Sequence, residues 1–184
     1  MAETQPPPRR VRLRPERPWR EHAGLYRDLL EDPRVAARLW PGAPGDTRSG
    51  RRSSAILAAD IEHWQSESFG PWPFFETATG GFVGRCGLRR ATVRGRRTVE
   101  LLYAVRPELW GAGHATEMAI VSMAHARQLG LEEVVGFAAV TNGASRRVLE
   151  KAGMRFEAIF QHAGMPHWLG RANPGQQERL DRLA

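Results

Sequence analysis

The segment from Thr98 to Gly130 constrains this chain more than any other. Thr98 to Val105 reads as a strand, with Val99, Leu101, Tyr103 and Val105 on one face and Glu100, Leu102 and Ala104 on the other. Both faces are mostly apolar, the pattern of a central strand covered on both sides. Pro107 stops it, and a tight loop with Gly111 and Gly113 leads straight into a helix from about Gly113 to Leu129. Ala115, Met118, Ala119, Ser122, Ala126 and Leu129 form the stripe of that helix, and Gly130 is placed to cap its end. The first turn of a helix has backbone N–H groups without internal partners and a partial positive charge. Glycines let an anion approach that backbone closely, so the segment is built to hold a phosphate. No lysine follows the glycines, which sets it apart from a P-loop. Thr116 stands where a dinucleotide fingerprint needs its third glycine. On the glycine pattern alone, a tight strand-to-helix turn without a ligand is an equal reading.

The flanking chain supplies the rest of a domain. Residues 1–8 read as a flexible tail. Val11 and Leu13 alternate with arginines as a strand. Trp19, Ala23, Tyr26, Leu29 and Leu30 recur at helical spacing, Pro33 closes that helix, and Val35 to Leu39 adds a short one. Trp40 to Arg52 reads as a loop, and a second long helix covers about Ser53 to Ser66. Two short apolar runs, Phe74–Phe75 and Phe82–Cys86, flank a hairpin signal at Gly80-Gly81, and Gly95 marks the next turn. After the central helix come a buried strand, Val134 to Val140, and a short helix from Asn142 to Ala152. A last hairpin, Phe156 to His162 and His167 to Gly170, precedes a polar tail over residues 173–184. The order predicts one α+β (mixed α/β) domain over residues 9–172 with a strand-helix-strand unit at its heart.

Composition excludes several classes. With 184 residues the chain suits a single domain with a full core. Cys86 is the only cysteine, so neither an internal disulfide nor a cysteine-based metal site is available. No His pair stands at metal-ligand spacing, so no metal is expected. The apolar stretch Met118 to Ala124 is too short to span a bilayer, and the N-terminus lacks a signal-type apolar run, so a cytoplasmic protein without membrane contact is expected. The net charge of +7 favours anionic partners. Lys151 is the only lysine, and the arginine bias reads more simply as codon preference than as a nucleic-acid surface.

The run Glu100-Leu-Leu-Tyr103, then Val105, Pro107 and Trp110-Gly-Ala-Gly-His-Ala-Thr-Glu117, resembles the acetyl-CoA-binding motif of the GNAT superfamily of N-acetyltransferases. The branch it most resembles includes the ribosomal-protein N-terminal acetyltransferases (RimJ/RimL-like). Asn142-Gly-Ala-Ser145 and Val148-Leu-Glu-Lys151-Ala-Gly153 resemble the next motif of that branch, and Arg12-Leu13-Arg14-Pro15 fits its opening strand. The resemblance implies a central, mostly antiparallel twisted sheet with flanking helices. It also implies acetyl transfer from acetyl-CoA, with no metal, to a primary amine by direct attack in a ternary complex. The acceptor is a protein N-terminus or a small-molecule amine; relatives often form homodimers. The position that opens the family's glycine motif, often Gln or Arg, is Glu108. A tyrosine that many members carry in the last helix is replaced near Leu149. A non-catalytic acyl-CoA-sensing or RNA-docking module on the same fold is the alternative.

The resemblance also assigns residues. Tyr103, Ala104 and Val105 would bond the pantetheine arm like an added strand, with a bulge splaying this strand from Val134–Val140. Gly111, Ala112, Gly113, His114, Ala115 and Thr116 would hold the pyrophosphate. Asn142 would bond the pantetheine or cap its helix. Glu100 is the candidate general base, or it pairs with an arginine, or it binds the amine's positive charge. Ser145 is the candidate proton donor to the leaving sulfur, or a helix cap. Trp64 and His162 are candidates for the acceptor site, with plain core packing as the other reading for Trp64. Cys86 reads as a small buried hydrophobe.

Overall fold

The computed structural model describes residues 12–40 and 49–175. The tail over residues 1–8, most of the loop after Trp40 and the end of the polar tail lie outside the described residues. Among the described residues, seven strands form one sheet in the order β1-β2-β3-β4-β5-β7-β6. They are β1 Leu13–Pro15, β2 Pro71–Glu76, β3 Phe82–Val93, β4 Arg96–Val105, β5 Val134–Ala139, β6 Arg155–His162 and β7 Met165–Ala172. Every neighbouring pair is antiparallel except β4 and β5. Among the described residues five α-helices flank it: α1 Ala23–Leu30, α2 Pro33–Leu39, α3 Ser49–Glu67, α4 His114–Gln128 and α5 Gly143–Lys151. This is the mixed α/β, mostly antiparallel arrangement expected from the sequence.

Packing follows the alternation along β4. Val99, Leu101 and Val105 join Cys86 and Leu88 of β3 beneath Met118, Ala119, Met123 and Ala126 of α4. Ala104, on the opposite face, packs with Phe75 and Phe82 beneath Tyr26, Leu29 and Leu57 of α1 and α3. The described residues contain no helix long and apolar enough to cross a membrane.

Three boundaries differ from the sequence expectations. Pro33 opens α2 rather than merely closing α1, because its missing N–H costs nothing at the first helical position. Asp32 caps that helix by accepting the Arg34 N–H at 2.8 Å. α3 begins at Ser49, inside the stretch read as loop. Trp19, placed on the apolar stripe of the first helix, is 59% exposed, since the chain enters that helix through a 3-10 turn over Arg20–His22.

Candidate active site

The site begins where β4 and β5 part. The two strands pair in parallel at Glu100↔Val135, whereas β5 holds β7 continuously from Val134↔Ala172 to Ala139↔His167. β4 keeps an unbroken register with β3 from Val93↔Arg96 to Gly84↔Val105. Neither strand shifts register against its outer neighbour, so the bulge in β4 expected from the resemblance does not show in its pairing with β3. Antiparallel residues alternate in the direction of their backbone groups. The Arg106 N–H donates to the Val83 carbonyl at 2.9 Å, so even-numbered residues of β4 face β3. Tyr103 and Val105 consequently turn their backbone groups toward the gap beside β5. Gly84 lets the strands meet closely at this level. A Cβ there would collide with the Ala104 carbonyl oxygen and lie 2.9 Å from the Val105 Cα.

The gap leads to the start of α4. Gly111 and Gly113 have φ of 83° and 85°, the left-handed region that disfavours side chains. Gly113 is the N-cap residue and offers no side-chain cap, so the first N–H groups of α4 carry no side-chain partner. Ala112 is exposed in the loop, and Ala115 and Thr116 are half-buried in the first turn. His114, 7% exposed, is buried at the first helical residue, and its Nδ1 has no hydrogen-bond partner. Glu117 in this turn is held by the Arg12 guanidinium at 2.7 Å, which also lies beside Gly113. Glu108 bonds Arg34 at 2.5 Å, with Arg106 at 3.6 Å. Its own backbone N–H, then the Arg34 guanidinium, holds its carboxyl below the usual carboxylate range.

Across the gap, Asn142 caps α5 by accepting the Ser145 N–H at 3.1 Å. Arg38 of α2 joins the two sides. Its guanidinium lies 4.4 Å from the Trp110 ring centre and 3.4 Å from the Asn142 side-chain oxygen. The Tyr103 hydroxyl reaches Ser145, 2.9 Å from its carbonyl oxygen and 2.5 Å from its Oγ. Burial pushes the Tyr103 phenol above its ordinary range. The sequence reading used only the backbone of Tyr103. Its hydroxyl was missed because the partner lies 42 residues away on another element.

Glu100 is buried, at 6% exposure. Arg89 donates its Nε to Oε2 at 2.9 Å, and its Nη2 lies 2.8 Å from the same oxygen. Among the described residues nothing bonds Oε1. The arginine-pairing reading of Glu100 is thus present in the structure. Arg89 was missed, yet the turn Arg94-Gly95 gives it away: both residues have positive φ, and pairing Val93 with Arg96 puts Arg89 opposite Glu100. Glu100 and His162 line one cleft of about 620 Å³, together with Phe137 and Phe160. Trp64 is not among the residues that line it. It is 8% exposed, donates its Nε1 to the Pro71 carbonyl at 2.9 Å, and stacks near His125 of α4. That placement is core packing beside Trp72, because the C-terminal end of α3 turns toward the α4 side of the sheet. No group of three or more metal-ligating side chains occurs among the described residues.

Residues 10–155 match the family model of the acetyltransferase (GNAT) domain. The chain belongs to the GNAT acetyltransferase family. Solved structures share the fold. An acetyltransferase from Agrobacterium tumefaciens has 21% identity and a TM-score of 0.73, covering 94% of this chain and 97% of its own. Spermidine N-acetyltransferase from Vibrio cholerae, in complex with CoA and spermine, has 14% identity and a TM-score of 0.69 over 89% and 96%. Ribosomal-protein-S5-alanine acetyltransferase from Vibrio fischeri has 14% identity and a TM-score of 0.69 over 88% and 92%. As a GNAT member the chain is an acetyltransferase.

Proposed function

We propose that this GNAT enzyme transfers the acetyl group of acetyl-CoA to a primary amine by direct attack within a ternary complex. The observation that carries the reading is the parting of β4 from β5, which turns the backbone groups of Tyr103 and the Val105 N–H toward the gap while the Trp110 indole takes the Val105 carbonyl at 2.8 Å, together with the uncapped N-terminus of α4 that follows in the chain. The residues present fit the co-substrate. His114 brings an unpartnered ring nitrogen to the helix start, and Arg12, Arg34, Arg38 and Arg106 cluster around a loop whose opening position is the acidic Glu108. Acetyl-CoA supplies an acetyl group activated as a thioester.

The chain's own groups do the rest. Gly111, Ala112, Gly113, His114, Ala115 and Thr116 offer N–H groups to the pyrophosphate. The Tyr103, Ala104 and Val105 stretch offers an edge for the pantetheine arm, and the N–H groups of Tyr103 and Val105, which face away from β3, are donors for the negative charge that develops on the acyl oxygen. Glu100, its Oε2 fixed by Arg89, takes the proton lost by the attacking amine through Oε1, directly or through water. Ser145 gives a proton to the departing sulfur, and the Tyr103 hydroxyl fixes the orientation of its Oγ. One proton leaves the amine and one reaches the sulfur, so the products are an amide and a thiol. Asn142 sets the N-terminus of α5 and thereby the position of Ser145. His162 lines the acceptor side.

Calorimetry with acetyl-CoA and a thiol-release assay with an amine panel test this. Acetyl-CoA binds the wild type, and Glu100→Gln lowers turnover by roughly 10²–10⁴-fold, the usual worth of acid–base help, while that binding stays intact. Equal turnover by Glu100→Gln and wild type removes Glu100 from the chemistry. Absence of acetyl-CoA binding removes the reading altogether.

A further inference from the structure

The cleft above Glu100 also carries information about the acceptor. Its charge is unlike that of a site for a polycation. Among the described residues that line it, Glu100 is the one carboxylate, whereas Arg89 and Arg94 bring guanidinium groups. Arg90 borders it by its backbone position only, since it pairs with Val99 and its side chain lies on the opposite face over the Phe69 ring, held by Glu67 at 3.0 Å; Arg94 lies 3.9 Å from Glu157. Arg89 has Glu100 itself as its partner, so an amine that takes Glu100 away leaves a guanidinium without a counter-ion.

The ion pair is only half used. Both contacts from Arg89 land on Oε2, through Nε and Nη2. Among the described residues Oε1 accepts no hydrogen bond and Nη1 of Arg89 donates none. The Arg89 side chain is 46% exposed and that of Glu100 is 8% exposed, so the guanidinium is the more accessible partner. A free carboxylate oxygen beside a free guanidinium edge complements a molecule whose ammonium and carboxylate sit on one carbon. The wall beyond is aromatic. Phe137 meets Phe160 edge-on at 5.5 Å and the His162 ring at 4.9 Å. Such rings pack edge-on or offset against a flat apolar group.

We propose that the acceptor is a free α-amino acid with an aromatic or other apolar side chain, its carboxylate read by Arg89 and its amine presented to Glu100. This assignment rests on the acetyltransferase reading of the same site. The ammonium gives one proton to solvent before attack, the neutral amine gives a second to Glu100 as the C–N bond forms and the C–S bond breaks, the departing sulfur takes a proton, and the carboxylate stays on Arg89 throughout. Arg89 is thus a specificity-determining residue.

The experiment compares L-phenylalanine, phenethylamine (the same molecule without its carboxylate) and spermidine. Each is assayed for thiol release with acetyl-CoA and titrated calorimetrically into the CoA-saturated full chain. The kcat/KM for L-phenylalanine exceeds that for phenethylamine by roughly tenfold to a hundredfold, the worth of one charge-assisted hydrogen-bond pair. Arg89→Gln collapses that ratio toward unity. Spermidine turnover equal to that of L-phenylalanine overturns the assignment, as does a ratio that survives Arg89→Gln. Failure of L-phenylalanine both to bind and to react overturns it equally. Selective binding of L-phenylalanine without turnover of any amine supports the acceptor assignment and refutes the catalytic reading instead.

Discussion

Replacing Asp60 by alanine strips the counter-ion from a guanidinium that the fold has buried. The Asp60 and Arg85 side chains are 5% and 9% exposed. Arg85 donates Nε to Oδ2 at 2.5 Å and Nη2 to Oδ1 at 2.6 Å, and the Tyr26 hydroxyl donates to Oδ2 at 2.8 Å. Burial works against the charge on Arg85, but the Asp60 carboxylate more than offsets it and holds the guanidinium protonated. Burial, then Asp60, pushes the Tyr26 phenol well above its usual range. Removing one member of such a pair costs about 3–5 kcal/mol, because the partner's charge stays desolvated. Against a typical domain stability of about 5–15 kcal/mol, that is a large share. For a chain of this size it lowers Tm by about 6–20 °C. The loss is local as well as global. Arg85 stands opposite Ala104 in register, so α3 is pinned to the sheet one residue from Tyr103. Urea unfolding and thermal melts of Asp60→Ala measure the cost. The triple variant Tyr26→Phe/Asp60→Leu/Arg85→Met recovers most of it, since apolar packing replaces two desolvated charges and no buried hydroxyl is left unpaired. If Asp60→Ala costs less than about 1 kcal/mol, the range for an exposed pair, the triad does not carry the coupling between α3 and β3.

Three further outcomes are expected. Gly84→Ala forces β3 from β4 beside the cofactor edge and weakens acetyl-CoA binding as well as destabilising the fold by roughly 1–3 kcal/mol, seen by calorimetry and melts together. Tyr103→Phe leaves acetyl-CoA affinity unchanged and lowers kcat roughly tenfold, the worth of one hydrogen bond that orients Ser145; an unchanged kcat removes the hydroxyl from the reaction. Burial pushes the Cys86 thiol up to about 12 from an ordinary 9.0, so it resists a thiol reagent at pH 8 until the chain unfolds. The folded state then holds that proton more tightly than the unfolded one, and this contribution to stability declines as pH rises from about 9 to about 12. The buried thiol also leaves the CoA-release assay free of a protein background.

Much of the fold could be read along the chain. The glycine loop, the α4 stripe and the last hairpin follow from local rules: positive φ at glycine, a 3.6-residue period, and alternation on strands. The misreadings share a cause. Pro33 signals a break, but only the Asp32 cap shows that the break starts a new helix. Trp64 has the look of a site aromatic, but the path of α3 around the sheet sends it into the core. Leu129 continues the α4 stripe in sequence, yet it is 37% exposed at the helix end. In the site, Glu100 and Ser145 were visible as residue types in a motif. Arg89 could have been found by counting back across the Arg94-Gly95 turn, because hairpin register is arithmetic.

The sequence alone determined the order of elements, the glycine-opened helix and the family, because each depends on residues close along the chain. The tertiary structure alone decided where β5 leaves β4, which oxygen of Glu100 stays free, and that the Tyr103 phenol meets Ser145. Those facts join side chains from separate elements, and their geometry is set by how the helices pack on the two faces of the sheet. Local propensity has no term for a contact between residues 42 positions apart.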